Sequence, residues 1–142
     1  PYNSMSDSDP AALTRYVAEQ LDARGVMYLH LLEAPASDDI DAVRPMTAIA
    51  REVFDGVVIA NAGYTADAAE RVIARGEADL VAFGVPFLCT PDFVARTRDG
   101  QPLNTPVRET FYGGTDVGYV DYPFHDGRVR TLDDLTATPA TV

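Results

Sequence analysis

Two short turns in this 142-residue chain have residue types suited to holding an anion through backbone amides. Asn61-Ala62-Gly63 follows an apolar run of strand length, and Gly84-Val85 follows the next such run. Turns that lead from parallel strands into helices present free N–H groups, and barrel enzymes often hold a phosphate with two neighbouring turns of this kind. The spacing is also typical of ordinary strand-to-helix turns, and by itself it favours that simpler interpretation.

Other side chains capable of chemistry are isolated in the sequence. His30 lies inside a strand-like run, where a packed, hydrogen-bonded histidine is more common than a base, and Glu33 ends that run without a sequence partner. The single cysteine, Cys89, has no basic neighbour that would favour a reactive thiolate, and it can form no internal disulfide. Met5 is a weaker candidate for the edge of a substrate pocket. No metal-ligand spacing and no catalytic group is predicted.

Three acidic residues of the C-terminal third are expected to be solvated or turn-forming: Asp116, Asp121 and Asp126.

Apolar periodicity predicts alternating helices and strands that position the two turns. Helices are predicted over residues 10–24, 42–54, 65–76 and 91–98, and strands over 26–32, 56–60 and 80–83. The strands are apolar throughout, which is typical of buried parallel strands covered by helices. Residues 100–123 are predicted to be ordered loop, followed by a fraying tail with one weak helical turn at 132–135.

Helix boundaries carry their own signals. The first helix has Asp9 as its N-cap, an apolar face and a terminal glycine, Gly25. That face is formed by Leu13, Val17 and Leu21. The second helix should have Pro45 in its first turn, and the third should run from a Thr65 cap to a stop at Gly76.

Composition narrows the possible partners. A net charge of -11 disfavours nucleic acid and anionic membranes, because both need a basic patch. No apolar stretch approaches the roughly 20 residues that span a bilayer, and no secretion signal begins the chain. We therefore expect a globular, cytoplasmic protein without nucleic-acid or membrane partners.

Three strands are too few for a closed parallel sheet, because a complete (β/α)8 barrel needs about 250 residues. The chain starts at Pro1 without a methionine, which we interpret as a cut end. If these strands are barrel strands, roughly half of the barrel lies elsewhere.

Two segments resemble the Old Yellow Enzyme family of FMN-dependent ene-reductases. They are FDGVVIANAGYTADAAERVIARGEADLVAFGVPFLCTPDFVAR and PLNTPVRETFYGGTDVGYVDYP. The Gly-Tyr turn, the DLVAFG strand, the Pro-Asp helix start, TFYGG and GY-DYP occur in that family's order. The resemblance covers residues 1–123 and implies the C-terminal part of a (β/α)8 TIM barrel, about three βα units corresponding to strands 6–8. Residues 124–142 would form a tail outside it.

The resemblance also implies binding roles. Backbone groups after strands 7 and 8 would receive the FMN phosphate, one aromatic ring would lie near the isoalloxazine, and another would face the substrate. In that order these residues are Ala62 and Gly63, Gly84 and Val85, Phe111, and Tyr112. Without the resemblance, the two aromatic residues are better interpreted as core.

The sequence departs from the family pattern at two of these positions. Val85 stands where an arginine commonly pairs with the phosphate, so a charge-assisted contact is lost. Ala62 stands where glycine is common, and it fits there only if its backbone avoids positive φ.

The family's activity passes a hydride from NAD(P)H through flavin N5 to an activated alkene such as an enone or a maleimide, with nitro compounds as a further candidate class. Its substrate-polarising and proton-donating groups belong to strands 1–5, so we expect this chain alone to be inactive and its partner to be the missing N-terminal barrel half, from the same gene or a second chain. The alternative is a non-catalytic flavin- or phosphate-binding module or an inert remnant. A barrel enzyme for phosphorylated sugars is a weaker alternative, disfavoured by TFYGG and GY-DYP.

Overall fold

The computed structural model describes residues 6–35 and 39–129. Met5 and the helical turn predicted at 132–135 lie outside the described residues. The chain divides into two compact units, one up to Phe83 and one from Gly84 onward. Within the described ranges, no helix is both long and apolar enough to cross a membrane.

The first unit alternates helices with strands. Its elements are α1 (Pro10–Asp22), β1 (Tyr28–Leu32), α2 (Pro45–Val53), β2 (Val57–Asn61), α3 (Ala66–Ala74) and β3 (Leu80–Ala82). The three strands form a parallel sheet in the order β1-β2-β3, with Tyr28 opposite Val57 and Ile59 opposite Leu80. The predicted alternation and the parallel arrangement are both confirmed.

Local capping signals act as predicted at four helix ends. The Asp9 carboxylate accepts a hydrogen bond from the Ala12 N–H at 3.0 Å, and the Thr65 hydroxyl accepts one from Ala68 at 3.2 Å. Gly25 and Gly76 follow their helices at φ values of 67° and 70°. These left-handed positions end α1 and α3 without the steric cost that a Cβ would add.

The start of α2 was predicted three residues too early. Pro45 occupies its first position, and the preceding Arg44 is extended, with φ -91° and ψ 105°. A proline ring disfavours helical geometry in the residue before it, so the helix cannot begin at Ala42. The first helix also ends earlier than predicted, at Asp22 rather than Arg24.

The prediction that the strands are buried on both faces is wrong for β1. Leu29 and Leu31 pack against the core, whereas Tyr28 is 54 % and Leu32 57 % exposed. The alternation arises because the core packs against one face of this sheet and β1 is an edge strand. The opposite face carries the exposed side chains.

The apolar face predicted for α1 is only partly correct. Leu21 packs against the core, but Leu13 and Val17 are about half exposed. Ala18 is the buried residue of this helix, which packs along α2.

The core of the first unit lies between the sheet and its helices. Phe54 is its largest fully buried side chain. A Cβ on Gly56 would lie 2.6 Å from the Phe54 ring and 2.7 Å from the Met27 carbonyl oxygen. Only glycine fits at position 56, where β2 approaches this ring.

The second unit has little regular structure. It contains α4 (Val85–Cys89), α5 (Phe93–Arg98), a 3₁₀ helix (Arg108–Thr110) and an antiparallel bridge between Pro123 and Val129. The α4 helix was not predicted. Val129 of this bridge belongs to the predicted tail, of which the structure describes residues 124–129.

A buried arginine organises the loop between residues 100 and 123. Arg96 is 5 % exposed and forms an ion pair with Asp92 at 2.6 Å. Its guanidinium donates to the carbonyl oxygens of Pro102 and Pro123 and to Asn104 Oδ1, at 2.9 to 3.1 Å. These contacts explain how a segment with few helices or strands is ordered, as the sequence predicted.

Candidate functional site

The turn after β2 has an unusual backbone. Ala62 has φ 92° and Gly63 has φ 76°, so two consecutive residues lie in the left-handed region. The condition that Ala62 avoid positive φ is not met. A non-glycine residue in this region typically costs about 1–2 kcal/mol, and such strain occurs often at functional sites.

The two amides of this turn differ in availability. The Ala62 N–H donates to Asn61 Oδ1 at 2.6 Å. The Gly63 N–H has no hydrogen-bond partner among the described residues. Gly63 lies two residues before Thr65, the N-cap of α3, whose first amides have no acceptors within the helix. The turn therefore offers an anion one free amide at Gly63, while the Ala62 amide is occupied.

The Asn61 side chain also reaches His30. Asn61 Nδ2 lies 3.0 Å from His30 Nε2, so this histidine is hydrogen-bonded as expected. It is exposed rather than packed, because it lies on the face of the sheet opposite the core.

Arg44 lies beneath the turn and was not singled out by sequence. Its side chain is 3 % exposed. The Nη1 atom donates to the carbonyl oxygens of Glu33 and Ala62, the latter at 3.0 Å. The guanidinium carbon stacks 4.3 Å from the centre of the Tyr64 ring. The only sequence signal was an arginine immediately before Pro45 at a helix start.

Tyr64 forms the wall behind this guanidinium. Burial raises the pKa of its phenol, and the nearby positive charge of Arg44 only partly offsets that effect. Tyr64 is therefore a neutral aromatic surface for the cation at ordinary pH.

Glu33 has the partner that the sequence did not reveal. Its carboxylate accepts hydrogen bonds from the backbone amides of Met46 and Thr47 at 3.0 and 2.8 Å and from the Thr47 hydroxyl at 2.9 Å. Arg44 at the N-cap makes no side-chain cap, so Glu33 satisfies these N-terminal groups from β1. The carboxylate at this strand end therefore caps the start of α2.

The turn at Gly84 and Val85 opens the second unit. Gly84 is the N-cap of α4, with φ -87° and ψ -80°, and its carbonyl oxygen accepts the Leu88 N–H at 2.9 Å. No atom lies within 4 Å of the place where a Cβ of Gly84 would stand. Val85 begins the helix, and its side chain supplies no charge.

Phe111 and Tyr112 have different environments. Phe111 is half-buried and follows the 3₁₀ helix, whereas Tyr112 has φ 59° and is 94 % exposed. The interpretation of Tyr112 as core is therefore wrong. Its N–H donates to the Tyr119 hydroxyl at 2.8 Å. Tyr112 and Tyr119 line an open hollow of about 450 Å³.

The remaining sequence candidates have structural roles. Cys89 is fully buried and free. Asp121 accepts the Gly118 N–H at 2.7 Å, and Asp126 accepts the Arg128 N–H at 3.0 Å, which confirms both as turn formers. Asp116 is exposed, as expected. Within residues 6–35 and 39–129, no three His, Cys, Asp or Glu side chains cluster as metal ligands.

Parallel strands, intervening helices and an amide-bearing turn at the carboxyl end of a strand are typical of α/β folds, (β/α)8 barrels among them. No family model matches the chain. The probable flavin mononucleotide-dependent alkene reductase of Leishmania infantum is 39 % identical over 123 residues, which cover 87 % of this chain and 33 % of that protein.

Solved structures of similar proteins also match most of this chain and about a third of their own length. The old yellow enzyme from Trypanosoma cruzi matches with a TM-score of 0.76 and 37 % identity, over 85 % of this chain and 32 % of that one. Morphinone reductase in complex with tetrahydroNAD matches with a TM-score of 0.72 and 40 % identity, over 84 % and 31 %.

The chain is thus the C-terminal part of a (β/α)8 barrel, about three βα units, and its resemblance to the Old Yellow Enzyme family is confirmed. It spans about a third of the length of the curated relatives it matches.

Proposed function

We propose that this chain supplies the C-terminal, phosphate-binding portion of an FMN-dependent NAD(P)H oxidoreductase that reduces activated alkenes. The observation that carries the proposal is the unpartnered Gly63 amide in the turn after β2. Three properties of this turn suit a phosphate: the free N–H of Gly63, a backbone already at positive φ, and the start of α3 a few residues further along the chain. Its relatives are described as reductases of this kind, which supports FMN as the ligand.

The binding roles follow the resemblance. Gly63 donates to the FMN phosphate, and Ala62 does so when Asn61 releases its amide. Gly84 and Val85 offer backbone amides at the start of α4. We assign Phe111 to the flavin ring and Tyr112 to the substrate, in agreement with the exposure of the Tyr112 side chain.

Bound FMN would supply the hydride transfer, taking it from NAD(P)H and passing it through N5 to the β-carbon of the alkene. The present chain would hold and orient the cofactor. Catalytic groups of the family come from strands 1–5, so we assign no catalytic residue here and expect no turnover by this chain alone.

The missing N-terminal barrel half is the proposed partner, encoded in the same gene or as a second chain. The exposed sheet face supports this proposal, because Tyr28 and Leu32 leave apolar surface on β1 that further barrel strands would cover. An edge strand also offers unpaired backbone groups to a neighbouring strand. Residues 1–123 would belong to this barrel, and residues 124–142 to its tail.

Two measurements test the proposal. The codons preceding Pro1 should encode the first barrel strands in frame, or a second gene should supply them. The chain co-expressed with that half should retain FMN through desalting and reduce an enone with NAD(P)H, whereas the chain alone should show no reductase activity.

Riboflavin is the matched control, because it lacks the phosphate and should be lost on desalting. If the reconstituted barrel retains FMN but reduces no alkene, the non-catalytic module is the better function. If it retains riboflavin as well as FMN, the phosphate-binding role of the turn is wrong.

A further inference from the structure

Arg44 makes contacts that are poorly suited to stabilising the fold alone. The side chain is almost fully buried, yet Nε and Nη2 have no hydrogen-bond partner among the described residues. A buried cation with unpaired donors is costly, and an apolar side chain of similar volume often stabilises a core better. The polar and stacking contacts that the Arg44 side chain makes with described residues lie in the strand-end region: the carbonyls of Glu33 and Ala62 and the ring of Tyr64.

One of these contacts determines where the Gly63 amide points. The carbonyl of Ala62 and the N–H of Gly63 belong to the same trans peptide, so they point in opposite directions. Because Arg44 binds the Ala62 carbonyl oxygen at 3.0 Å, the Gly63 N–H is turned away from the guanidinium. That orientation leaves the amide without a partner among the residues that the structure describes.

The same contact offsets the strain at Ala62. An alanine prefers negative φ, and its φ of 92° persists only where surrounding contacts enforce it. Asn61 holds the Ala62 N–H and Arg44 holds the Ala62 carbonyl, so both groups of this residue are tied. Both carbonyl oxygens that Arg44 binds accept from its Nη1 atom, and the planar guanidinium also stacks on the Tyr64 ring. A lysine ammonium could replace this donor, but it lacks the planar group that stacks.

We propose that Arg44 is a positioning residue that holds the Ala62–Gly63 peptide with its amide facing an anionic ligand. The identity of the ligand, the phosphate of FMN, rests on the proposed function. The orientation of the peptide does not depend on that identity.

The test compares four versions of the full chain: wild type, Arg44→Met, Ala62→Gly and the double variant. Without ligand, NMR reports the Gly63 amide shift and the three-bond coupling that depends on φ of residue 62. Arg44→Met should shift both signals in the alanine background. With glycine at position 62, positive φ is no longer strained, and removing Arg44 should change the signals much less.

Ligand binding to the reconstituted FMN-binding barrel gives the second readout. Arg44→Met should weaken FMN binding about tenfold, the equivalent of one charge-assisted hydrogen bond, and leave riboflavin binding unchanged. In the Ala62→Gly background the loss should fall to about twofold. Arg44→Lys should recover part of the affinity, since it restores one donor.

Arg71→Met is the matched control, because the side chain of this exposed arginine pairs with Asp41 at the surface. It should alter neither the Gly63 signal nor FMN binding. Equal losses in both backgrounds, or an unchanged Gly63 signal in Arg44→Met, would overturn the positioning role. If Arg44→Met does not fold, Arg44→Lys and Arg44→Gln give the same comparison.

In a further outcome, no version binds FMN while Arg44→Met still shifts the NMR signals of residues 62 and 63 as expected. That result would overturn the proposed function and leave the positioning role standing.

Discussion

Replacing Glu33 with glutamine should destabilise the first unit through the start of α2. The carboxylate accepts three hydrogen bonds: one on Oε1 from Met46 and two on Oε2 from Thr47. Glutamine keeps a single acceptor oxygen, so its NH₂ group would face an N–H or O–H donor. The best orientation preserves both bonds to Thr47 and leaves the Met46 amide unpaired.

The expected loss in the free energy of unfolding follows from the bond and the charge that glutamine removes. One hydrogen bond to a charged group contributes about 1.5–3 kcal/mol, and a negative charge near a helix N-terminus adds about 0.3–1 kcal/mol. We therefore expect Glu33→Gln to lower the free energy of unfolding by about 2–4 kcal/mol. Thr47→Val removes only the hydroxyl bond and should cost about 1 kcal/mol.

Urea denaturation followed by far-UV circular dichroism measures these differences. Glu52→Gln is the matched control, since Glu52 lies on α2 and forms an exposed ion pair with Arg15. Such a pair contributes little, and the variant should stay within about 0.5 kcal/mol of wild type. A Glu33→Gln protein as stable as Glu52→Gln would refute the capping role of Glu33.

Further predictions concern other parts of the molecule. Gly56→Ala should lower stability by about 1–3 kcal/mol, because the new Cβ would overlap the Phe54 ring, and thermal unfolding would detect it. Burial raises the pKa of Asp92, but the His125 amide and Arg96 together outweigh it and hold that pKa below its usual range. The stability that the Asp92 carboxylate contributes is present above about pH 4 and is lost as pH falls through its depressed pKa. Hydrogen exchange of the second unit should show this loss. In Asp92→Asn the pH dependence should be absent. Val85→Arg should tighten FMN binding by about tenfold in the reconstituted barrel, whereas Val85→Leu should not; equal affinities would contradict the role assigned to this turn.

The local sequence determined the alternation of helices and strands. Asp9 and Thr65 cap their helices, and Gly25 and Gly76 follow them at positive φ, because these interactions span only a few residues. The parallel order of the strands also followed from their apolar runs and the helices between them. The two candidate turns could be located for the same reason.

Other features depended on contacts between distant residues. Glu33 meets Thr47 14 positions away, and Arg44 meets Ala62 18 positions away, so no local pattern indicated either contact. The exposed face of β1 depended on which neighbours cover it, a property of the sheet rather than of the strand.

The turn after β2 shows most clearly which features the sequence indicated and which depended on the tertiary structure. By itself the spacing of this turn favoured an ordinary strand-to-helix connection, and the family resemblance indicated a phosphate site there. Only the tertiary structure decided which amide is free, because the side chain of Asn61 occupies the amide of Ala62 and Arg44 binds its carbonyl. Amide orientation depends on what holds each peptide plane, and at this turn one of the groups that hold it comes from the start of α2.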